Sequence, residues 1–247
     1  MIRALIIIPV RMASSRFPGK PLININGKTM IERVWESAVK SKIGDVYVAC
    51  CDKEIKKVLI KKKINYIVTK KNLKSGTDRV YEAYRKLNNR GDYNLIINLQ
   101  GDIPYFNYVH LNKLYNLAKE KKFEMATLAS LITKKEKLKD TNIVKVVMAN
   151  YKKNIYRAIY FSRLPVPYGS SKHYEHIGVY AYSPYTLKNY ITMKNSRLES
   201  DEKLEQLRAL EAEVKIYVGL VNNSPISIDT PKDLKILNKN LNTKEKL

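Results

Sequence analysis

Three cationic side chains, Arg11, Arg16 and Lys20, stand close together in one irregular stretch of the chain. This stretch, residues 9–22, contains three prolines and a glycine, so it is neither a strand nor a regular helix. It follows residues 4–8, an apolar run typical of a strand buried on both faces of a parallel sheet. Loops leaving such strands bind ligands in open α/β sheets, and cations beside exposed amides suit phosphates. The pattern therefore favours an anion site over a solvated basic loop.

A second candidate for phosphate chemistry is the sequence S-G-T-D-R at residues 75–79, which opens a segment of helical periodicity. Ser75 before such a segment predicts an N-cap that holds the free amides of the first turn. The same amides, with Arg79 beside them, can instead bind an anionic ligand. Both interpretations stay open from the residues alone.

An acidic residue, Asp102, follows a predicted buried strand over residues 95–99, in the motif Q-G-D-I-P. A carboxylate at the end of a central strand can hold a hard cation beside phosphates. Gly-Asp before proline is also a common turn composition. The residue types by themselves favour the turn.

Two later segments combine polar residues with clear periodicity. Alternation over residues 176–182 predicts a strand with His176, Gly178 and Tyr180 on one face, although a single histidine in a strand is more often structural. Leucines at helical spacing predict one amphipathic helix over residues 198–210, whose charged side chains would form surface pairs.

Between these motifs the chain alternates predicted strands and helices. We predict helices over residues 30–41, 55–63, 76–87 and 110–121, and strands over residues 45–50, 66–68, 95–99, 125–132, 144–148 and 216–220. This alternation predicts an α/β fold, Rossmann-like, with a mostly parallel sheet flanked by helices. The first strand-to-helix turn lacks G-x-G-x-x-G, which counts against a dinucleotide cofactor.

Composition narrows the possible classes of protein. The 247 residues carry 46 Lys+Arg and 23 Asp+Glu, a formal net charge of +23, which would suit a nucleic-acid binder. The lysines are spread along the whole chain, however, without a basic tail. Cys50 and Cys51 are adjacent and make no disulfide framework. The apolar run before Pro9 is too short for a signal peptide, and no apolar stretch could span a membrane. We therefore expect a soluble cytoplasmic protein with neither a membrane nor a nucleic-acid partner.

These motifs together resemble those of the nucleotidyltransferases that make CMP-activated acid sugars. They appear in family order across residues 2–234, as R-x-x-S-x-R-x-P-G-K-P-L, S-G-T-x-R, Q-G-D-x-P, Y-F-S-R and H-x-G-x-Y-x-Y. The resemblance implies a nucleotide-diphospho-sugar transferase-like fold with a small antiparallel subregion for sugar binding and dimerisation. It also implies transfer of CMP from CTP to the anomeric hydroxyl of 3-deoxy-D-manno-octulosonate (Kdo), with release of diphosphate, in lipopolysaccharide biosynthesis.

The resemblance further implies a role for individual residues. Catalysis would depend on Lys20, Asp102 and Asp229, the two aspartates holding Mg²⁺. Nucleotide contacts would come from Arg11, Ser14, Arg16, Lys20, Ser75, Thr77, Arg79 and Gln100. Sugar contacts would come from Arg163, His176, Tyr180, Glu205 and Gln206. The implied partners are CTP, an acid sugar and a second copy of the chain in a homodimer.

The implied organisation is a single nucleotidyltransferase domain over residues 1–238, followed by a polar tail. Within that domain we expect a nucleotide-binding part over residues 1–150 and a sugar-binding and dimerisation part over residues 151–215. Residues 216–238 would then return to the core.

Two departures from the family pattern keep alternatives open. Ile103 stands where many members of the family carry glutamate, and the segment after Pro167 is short. The alternatives are the same reaction on the 8-amino analogue of Kdo or another acid sugar, an inactive relative, and a basic nucleic-acid-binding protein.

Overall fold

The computed structural model describes residues 3–13, 17–119 and 123–244 of the chain. Its strands are β1 (Ala4–Pro9), β2 (Asn24–Ile25), β3 (Lys28–Thr29), β4 (Gly44–Cys50), β5 (Tyr66–Val68), β6 (Leu95–Asn98), β7 (Met125–Leu131), β8 (Lys145–Lys152), β9 (Ile155–Ser162), β10 (Tyr174–Tyr182) and β11 (Ile216–Val221). Its helices are α1 (Met30–Lys40), α2 (Lys53–Lys61), α3 (Gly76–Lys86), α4 (Tyr108–Ala118), α5 (Lys135–Lys139), α6 (Pro184–Thr192), α7 (Arg197–Glu202), α8 (Leu207–Glu211) and α9 (Pro231–Lys244).

The described residues form two compact units. Unit 1 consists of residues 3–4, 93–97, 110–119 and 123–224, and unit 2 consists of residues 5–13, 17–92, 98–109 and 225–244. The chain therefore enters each unit more than once. The sequence-based division into parts with separate binding roles concerns function, and it stays a prediction.

Unit 2 is organised around β1, which is buried along its whole length. Strands β5, β4 and β1 lie side by side in that order, and β5 pairs with β4 in parallel. This burial is expected of an apolar strand covered on both faces of a sheet. After β1, a two-residue turn at Asn26 and Gly27, both with positive φ, joins β2 to β3, and Asn-Gly is the pair typical of such hairpin turns.

Helices α1, α2 and α3 of unit 2 confirm the predicted helices to within two residues. Capping explains where two of them begin. Thr29 accepts a hydrogen bond from the backbone N–H of Glu32, and the Glu32 carboxylate accepts from the backbone N–H of Thr29 in return. Ser75 and Asp78 make the same reciprocal box at the start of α3. These side chains satisfy amides that a helix N-terminus leaves without backbone partners.

Unit 1 contains a mixed sheet in the strand order β6, β10, β7, β11, β9, β8. Strand β10 pairs antiparallel with β7, β11 pairs parallel with β7, and β9 pairs antiparallel with both β11 and β8. The sequence does not predict β9, because Pro165 and Pro167, which interrupt regular structure, follow directly after residues 160–163. No helix in the described ranges is long and apolar enough to cross a membrane.

The single helix predicted over residues 198–210 is wrong. The structure has two short helices, α7 and α8, separated by residues 203–206. Lys203 ends α7 in the left-handed conformation, with φ of 54°. A residue with that backbone conformation cannot continue a right-handed helix. Leu204 and Leu207 are still buried, as their spacing predicted, so the apolar contacts persist although the helix does not.

Candidate active site

A polar cavity of about 330 Å³ lies in unit 2 at the carboxyl end of β1. Seven residues predicted from the sequence line it: Arg11, Lys20, Ser75, Arg79, Gln100, Asp102 and Asp229. They come from the loop after β1, the start of α3, the segment after β6 and the segment before α9. Because successive loops meet at one end of the strands, residues far apart in sequence share one cavity.

At the centre of the cavity Lys20 bridges two carboxylates. Its Nζ lies 3.0 Å from Oδ2 of Asp102 and 3.1 Å from Oδ1 of Asp229. Gly19, with φ of 75°, turns the chain into the short helical turn Lys20–Leu22 that carries this lysine. The backbone N–H of Ile228 donates to the carbonyl of Asp102 at 2.9 Å, which holds the two aspartate segments together.

The electrostatics of this cluster oppose a full negative charge on Asp102. Burial raises the pKa of the Asp102 carboxyl above its ordinary value; the Lys20 charge opposes that increase and the Asp229 charge adds to it. The carboxylates of Asp102 and Asp229 are close enough to share one cation, here the Lys20 ammonium, and their oxygens are the ligands that Mg²⁺ prefers. In the described part of the chain no cluster of three or more acidic, histidine or cysteine residues could hold a metal.

The glycine before Asp102 is required by a close approach of two backbone segments. A Cβ atom on Gly101 would lie 2.4 Å from Cγ1 of Val10 and 3.1 Å from the carbonyl oxygen of Pro9. The first distance is shorter than real Cβ atoms show, and the second is tight against backbone. Glycine thus lets the Asp102 segment pack directly on the start of the loop after β1.

The start of α3 forms a second wall of the cavity, and its side chains already have partners. Ser75 is occupied in the capping box with Asp78. Arg79 is buried and donates to the hydroxyl of Thr69 and, at 3.2 Å, to the carbonyl of Lys70. The capping and ligand-binding interpretations of this motif are therefore compatible, because the cap fixes the helix end that faces the cavity.

Behind this wall a short chain of polar side chains links β6 to α3. Gln100 donates to Oδ1 of Asn98 at 3.2 Å, and Asn98 donates to the hydroxyl of Thr77 at 3.5 Å. Asn98 and Thr77 are both buried, whereas Gln100 reaches the cavity. Thr77 therefore does not line the cavity but lies two hydrogen bonds behind Gln100, and Gln100 is oriented by the side-chain amide of Asn98.

Sequence reasoning missed Asp52, which anchors the loop after β1. Its carboxylate accepts a hydrogen bond of 2.9 Å from the backbone N–H of Met12, although Asp52 stands at the N-cap position of α2. The carbonyl of Met12 accepts in turn from the N–H of Gly19 at 3.2 Å. The available signal was an acidic residue two positions after the end of β4, at the edge of the sheet where ligand-binding loops lie. Ser14 and Arg16, predicted to bind the nucleotide, lie outside the described residues.

The residues predicted to bind the sugar all lie in unit 1. His176 and Tyr180 are neighbours on β10, with ring centroids 5.4 Å apart, and the His176 ring meets the edge of Phe161 at 4.9 Å. Burial lowers the pKa of His176 to about 3, so its ring is neutral near pH 7. The shared face predicted for this strand is confirmed by these ring contacts.

Glu205 and Gln206 lie in the turn between α7 and α8, not on a continuous helix. The hydroxyl of Tyr190 donates to the carbonyl of Glu205 at 2.8 Å, which fixes the turn against α6. Gln206 is buried. Arg208, farther along, pairs with Glu199 through two nitrogen atoms. Both side chains are only 12% exposed, so this pair across the two helices is not the surface pair expected along a single helix.

Arg163 also holds this turn in place. Its guanidinium donates to the carbonyls of Glu202 at 2.9 Å, Lys203 at 3.3 Å and Thr141 at 2.9 Å. Its own carbonyl accepts from the ammonium of Lys145 at 2.7 Å, and Lys145 is fully buried. Within the described part of the chain, three of the five guanidinium N–H groups therefore donate to backbone carbonyls.

Comparison with known proteins places the chain in a family. The family described as Cytidylyltransferase matches residues 5–216. The chain belongs to this family of nucleotidyltransferases, as the sequence motifs predicted. Within it the chain matches 3-deoxy-manno-octulosonate cytidylyltransferases. The protein of that name from Paramagnetospirillum magneticum is 40% identical over 232 residues, 94% of each chain, and the one from Bartonella tribocorum is 40% identical over 235 residues, 95% of this chain and 97% of the other.

Solved structures give the same result. The structure of CMP:2-keto-3-deoxy-manno-octonic acid synthetase complexed with CTP matches with a TM-score of 0.89 and 33% identity, covering 98% of this chain and 99% of the other. Apo UDP-glucose pyrophosphorylase matches with a TM-score of 0.68 at 13% identity over 100% of both chains, a likeness of fold alone. The predicted nucleotidyltransferase-like α/β fold is confirmed.

Proposed function

We propose that this enzyme transfers CMP from CTP to the anomeric hydroxyl of Kdo, giving CMP-Kdo and diphosphate for lipopolysaccharide biosynthesis. The observation that carries the proposal is the cluster of Lys20, Asp102 and Asp229 in the cavity of unit 2. It provides a cation and two carboxylates beside loop and helix amides, in a chain 40% identical to proteins named for this reaction. That combination suits phosphoryl transfer, where catalysis is mainly positioning and electrostatic stabilisation.

The residues of the cavity have separate tasks in this scheme. Arg11 and Lys20 bind the triphosphate and stabilise the negative charge that develops on the departing diphosphate. Asp102 and Asp229 hold Mg²⁺, which would supply charge neutralisation and make the sugar hydroxyl a better nucleophile. The N-terminal amides of α3, fixed by the Ser75 cap, offer hydrogen bonds to the nucleotide.

The sugar contacts are assigned to unit 1. His176 and Tyr180 would bind hydroxyl groups, with Glu205 and Gln206 as further hydrogen-bonding partners. Arg163 acts first as support for the turn that carries Glu205 and Gln206, because two of its donors already bind the carbonyls of Glu202 and Lys203 at the start of that turn. We assign Kdo as the sugar substrate, and not its 8-amino analogue, because the similar proteins are named for Kdo.

We further propose that the enzyme works in the cytoplasm as a homodimer. Leu164 and Tyr168 support this, because 62% and 104% of their surfaces are exposed on the chain alone. Large apolar side chains exposed in one segment are typical of protein interfaces. Light scattering from purified protein would give twice the mass of one chain, and a single-chain mass at assay concentration would contradict the homodimer.

The central test is diphosphate release by the purified chain with CTP and Mg²⁺, offering Kdo, its 8-amino analogue and N-acetylneuraminate separately. We expect release with Kdo. Asp102→Asn and Asp229→Asn should each lower kcat by at least about a hundredfold, because each removes a proposed ligand of the ion. Omission of Mg²⁺, with a chelator present, should have a similar effect.

Asp201→Asn is the matched control for these variants. It removes one carboxylate that is 63% exposed and whose distance to its partner Arg197 is a long 3.7 Å. An exposed pair of this kind contributes little, so kcat should stay at the wild-type value. Release with the amino sugar alone would contradict the assignment of Kdo. No release with any acid sugar from a folded protein would overturn the proposed reaction and direct attention to salt-dependent nucleic-acid binding.

A further inference from the structure

Strand β10 has an irregularity directly beside His176. The pairing with β7 joins Ile177 to Leu128 and then Tyr180 to Thr127, so Gly178 and Val179 are extra residues on β10. Bulges of this kind change the direction of side chains and of carbonyl groups. Here the carbonyls of Ile177 and Val179 both approach the hydroxyl of Thr127, at 3.1 and 2.8 Å.

The same hydroxyl oxygen also lies 3.0 Å from Nε2 of His176. A threonine hydroxyl has one hydrogen to donate and two lone pairs that accept. Carbonyl oxygens only accept, so the single hydrogen of Thr127 goes to one of the two carbonyls. The contact with His176 is then a hydrogen bond only if Nε2 carries a hydrogen and donates it to the threonine oxygen.

The opposite arrangement is unfavourable. If Thr127 donated to an unprotonated Nε2, its lone pairs would face two carbonyl oxygens at 2.8 and 3.1 Å with no hydrogen between them. Thr127 is fully buried, so water cannot relieve this repulsion. The tautomer of a histidine is set in this way by the partner of one ring nitrogen.

The second ring nitrogen of His176 is left for a ligand. In the described part of the chain Nδ1 has no hydrogen-bond partner, and it is not among the buried polar atoms that lack one. The atom therefore reaches the surface of unit 1. With Nε2 protonated and the ring neutral, Nδ1 presents a lone pair and can only accept a hydrogen bond.

We propose that Thr127 is a positioning residue that holds His176 in its Nε2–H tautomer, so that Nδ1 accepts a hydrogen bond from a donor group of the sugar. This inference rests on the proposed function, because it deepens the role of His176 in sugar binding. It defines what His176 recognises: a hydroxyl hydrogen, and not the sugar carboxylate, which has none to donate. The carboxylate must be bound by other groups.

The direct test is NMR of the full-length protein labelled with ¹⁵N-histidine, which needs no turnover. The ¹⁵N shifts of a neutral ring distinguish a protonated from an unprotonated nitrogen, and a His176→Gln spectrum assigns the signals among the three histidines. We expect Nε2 protonated and Nδ1 unprotonated near pH 7. Thr127→Val, which removes the accepting oxygen, should change this pattern, and Thr127→Ser should keep it. A protonated Nδ1 in the wild type, or an unchanged pattern in Thr127→Val, would overturn the proposal.

Steady-state kinetics provide the second readout. Thr127→Val should raise KM for the sugar about tenfold, the loss expected for one misdirected hydrogen bond, while KM for CTP stays within about twofold. Thr127→Ser should restore the wild-type KM. Ser130→Ala, a buried hydroxyl removed from the same strand, is the control for a general loss of stability. Equal increases of both KM values in Thr127→Val would indicate a merely structural role and contradict the proposal.

The two hypotheses fail in different ways. Absence of turnover with every acid sugar would overturn the proposed reaction, while the NMR pattern of Thr127→Val would still decide the role of Thr127.

Discussion

In the proposed mechanism Asp102 serves catalysis at the expense of stability. Its carboxylate is half-buried beside a second carboxylate, Asp229, and one lysine is shared between the two. Burial and the Asp229 charge raise the pKa of Asp102 in spite of Lys20. A carboxylate in such a place is suited to a cation that arrives with the substrate, because the protein alone supplies too little positive charge.

Asp102→Asn should therefore remove activity without lowering the stability of the ligand-free protein. Because the pKa is raised on folding, the folded state binds more protons than the unfolded state between the unfolded and folded pKa values. Stability is lost as the pH rises through that window. The neutral amide escapes this loss, so thermal unfolding near pH 7 should occur at the wild-type temperature or above it. A lower unfolding temperature would show that the Lys20 ion pair outweighs the cost of burial.

Asp52 is a second single residue with a testable role, because its carboxylate binds the backbone N–H of Met12 in the loop after β1. Asp52→Ala frees the N–H of Met12 and should raise KM for CTP about tenfold, the effect of losing one hydrogen bond to a charged group. Because Asp52 contacts the loop and not the reacting atoms, kcat should change much less. Asp52→Asn, which keeps an oxygen acceptor, should show a smaller increase. Initial rates over a range of CTP concentrations give these values, and an unchanged KM in Asp52→Ala would contradict the anchoring role.

At the scale of elements, two capping boxes of the same design allow a matched comparison. Ser75→Ala and Thr29→Ala each remove a side-chain cap, and each should lower the free energy of unfolding by about 1 kcal/mol. Only the start of α3 lines the cavity. Ser75→Ala should therefore also raise KM for CTP, whereas Thr29→Ala should leave it unchanged. Urea unfolding and steady-state kinetics with CTP, measured on both variants, test these expectations. A similar KM for CTP in the two variants would show that the α3 cap has no part in nucleotide binding.

Elements with strong local signals could be predicted from the sequence. The apolar run of β1, the periodicity of α1 and the Asn26-Gly27 turn each correspond to a pattern of neighbouring residues. The break between α7 and α8 could not, since Lys203 adopts a left-handed conformation without glycine or proline to indicate it. The bulge in β10 had one weak signal, Gly178 inside a strand.

The candidate site was predictable only in part, because local sequence patterns do not show which distant residues come into contact. The residue types and the family resemblance identified Lys20, Asp102 and Asp229, but their common contact depends on segments more than 80 residues apart. Asp52 and Thr127 were missed because their roles are hydrogen bonds to residues distant in sequence. No periodicity or local motif encodes such contacts.

At the scale of the whole molecule, the chain carries a formal net charge of +23. The lysines are distributed over the chain, and those of α2 illustrate the pattern: Lys53, Lys56, Lys57 and Lys61 are all exposed around a buried stripe. Such a charge distribution produces a positive potential at long range, which attracts anions without selecting among them.

This potential predicts that salt affects substrate binding, measured as kcat/KM, more than the chemical step, measured as kcat. CTP and an acid sugar are both anions, so raising NaCl from low ionic strength to about 0.5 M, where the Debye length falls well below 8 Å, should lower kcat/KM for CTP several-fold. The contacts of Lys20 with Asp102 and Asp229 are short and partly buried, so they are screened much less, and kcat at saturating substrates should stay nearly constant. Initial rates at a series of salt concentrations, with Mg²⁺ held fixed, provide the measurement. A fall in kcat parallel to kcat/KM would show that salt disturbs the cluster itself, and no change in either would mean that the surface lysines play no part in substrate capture.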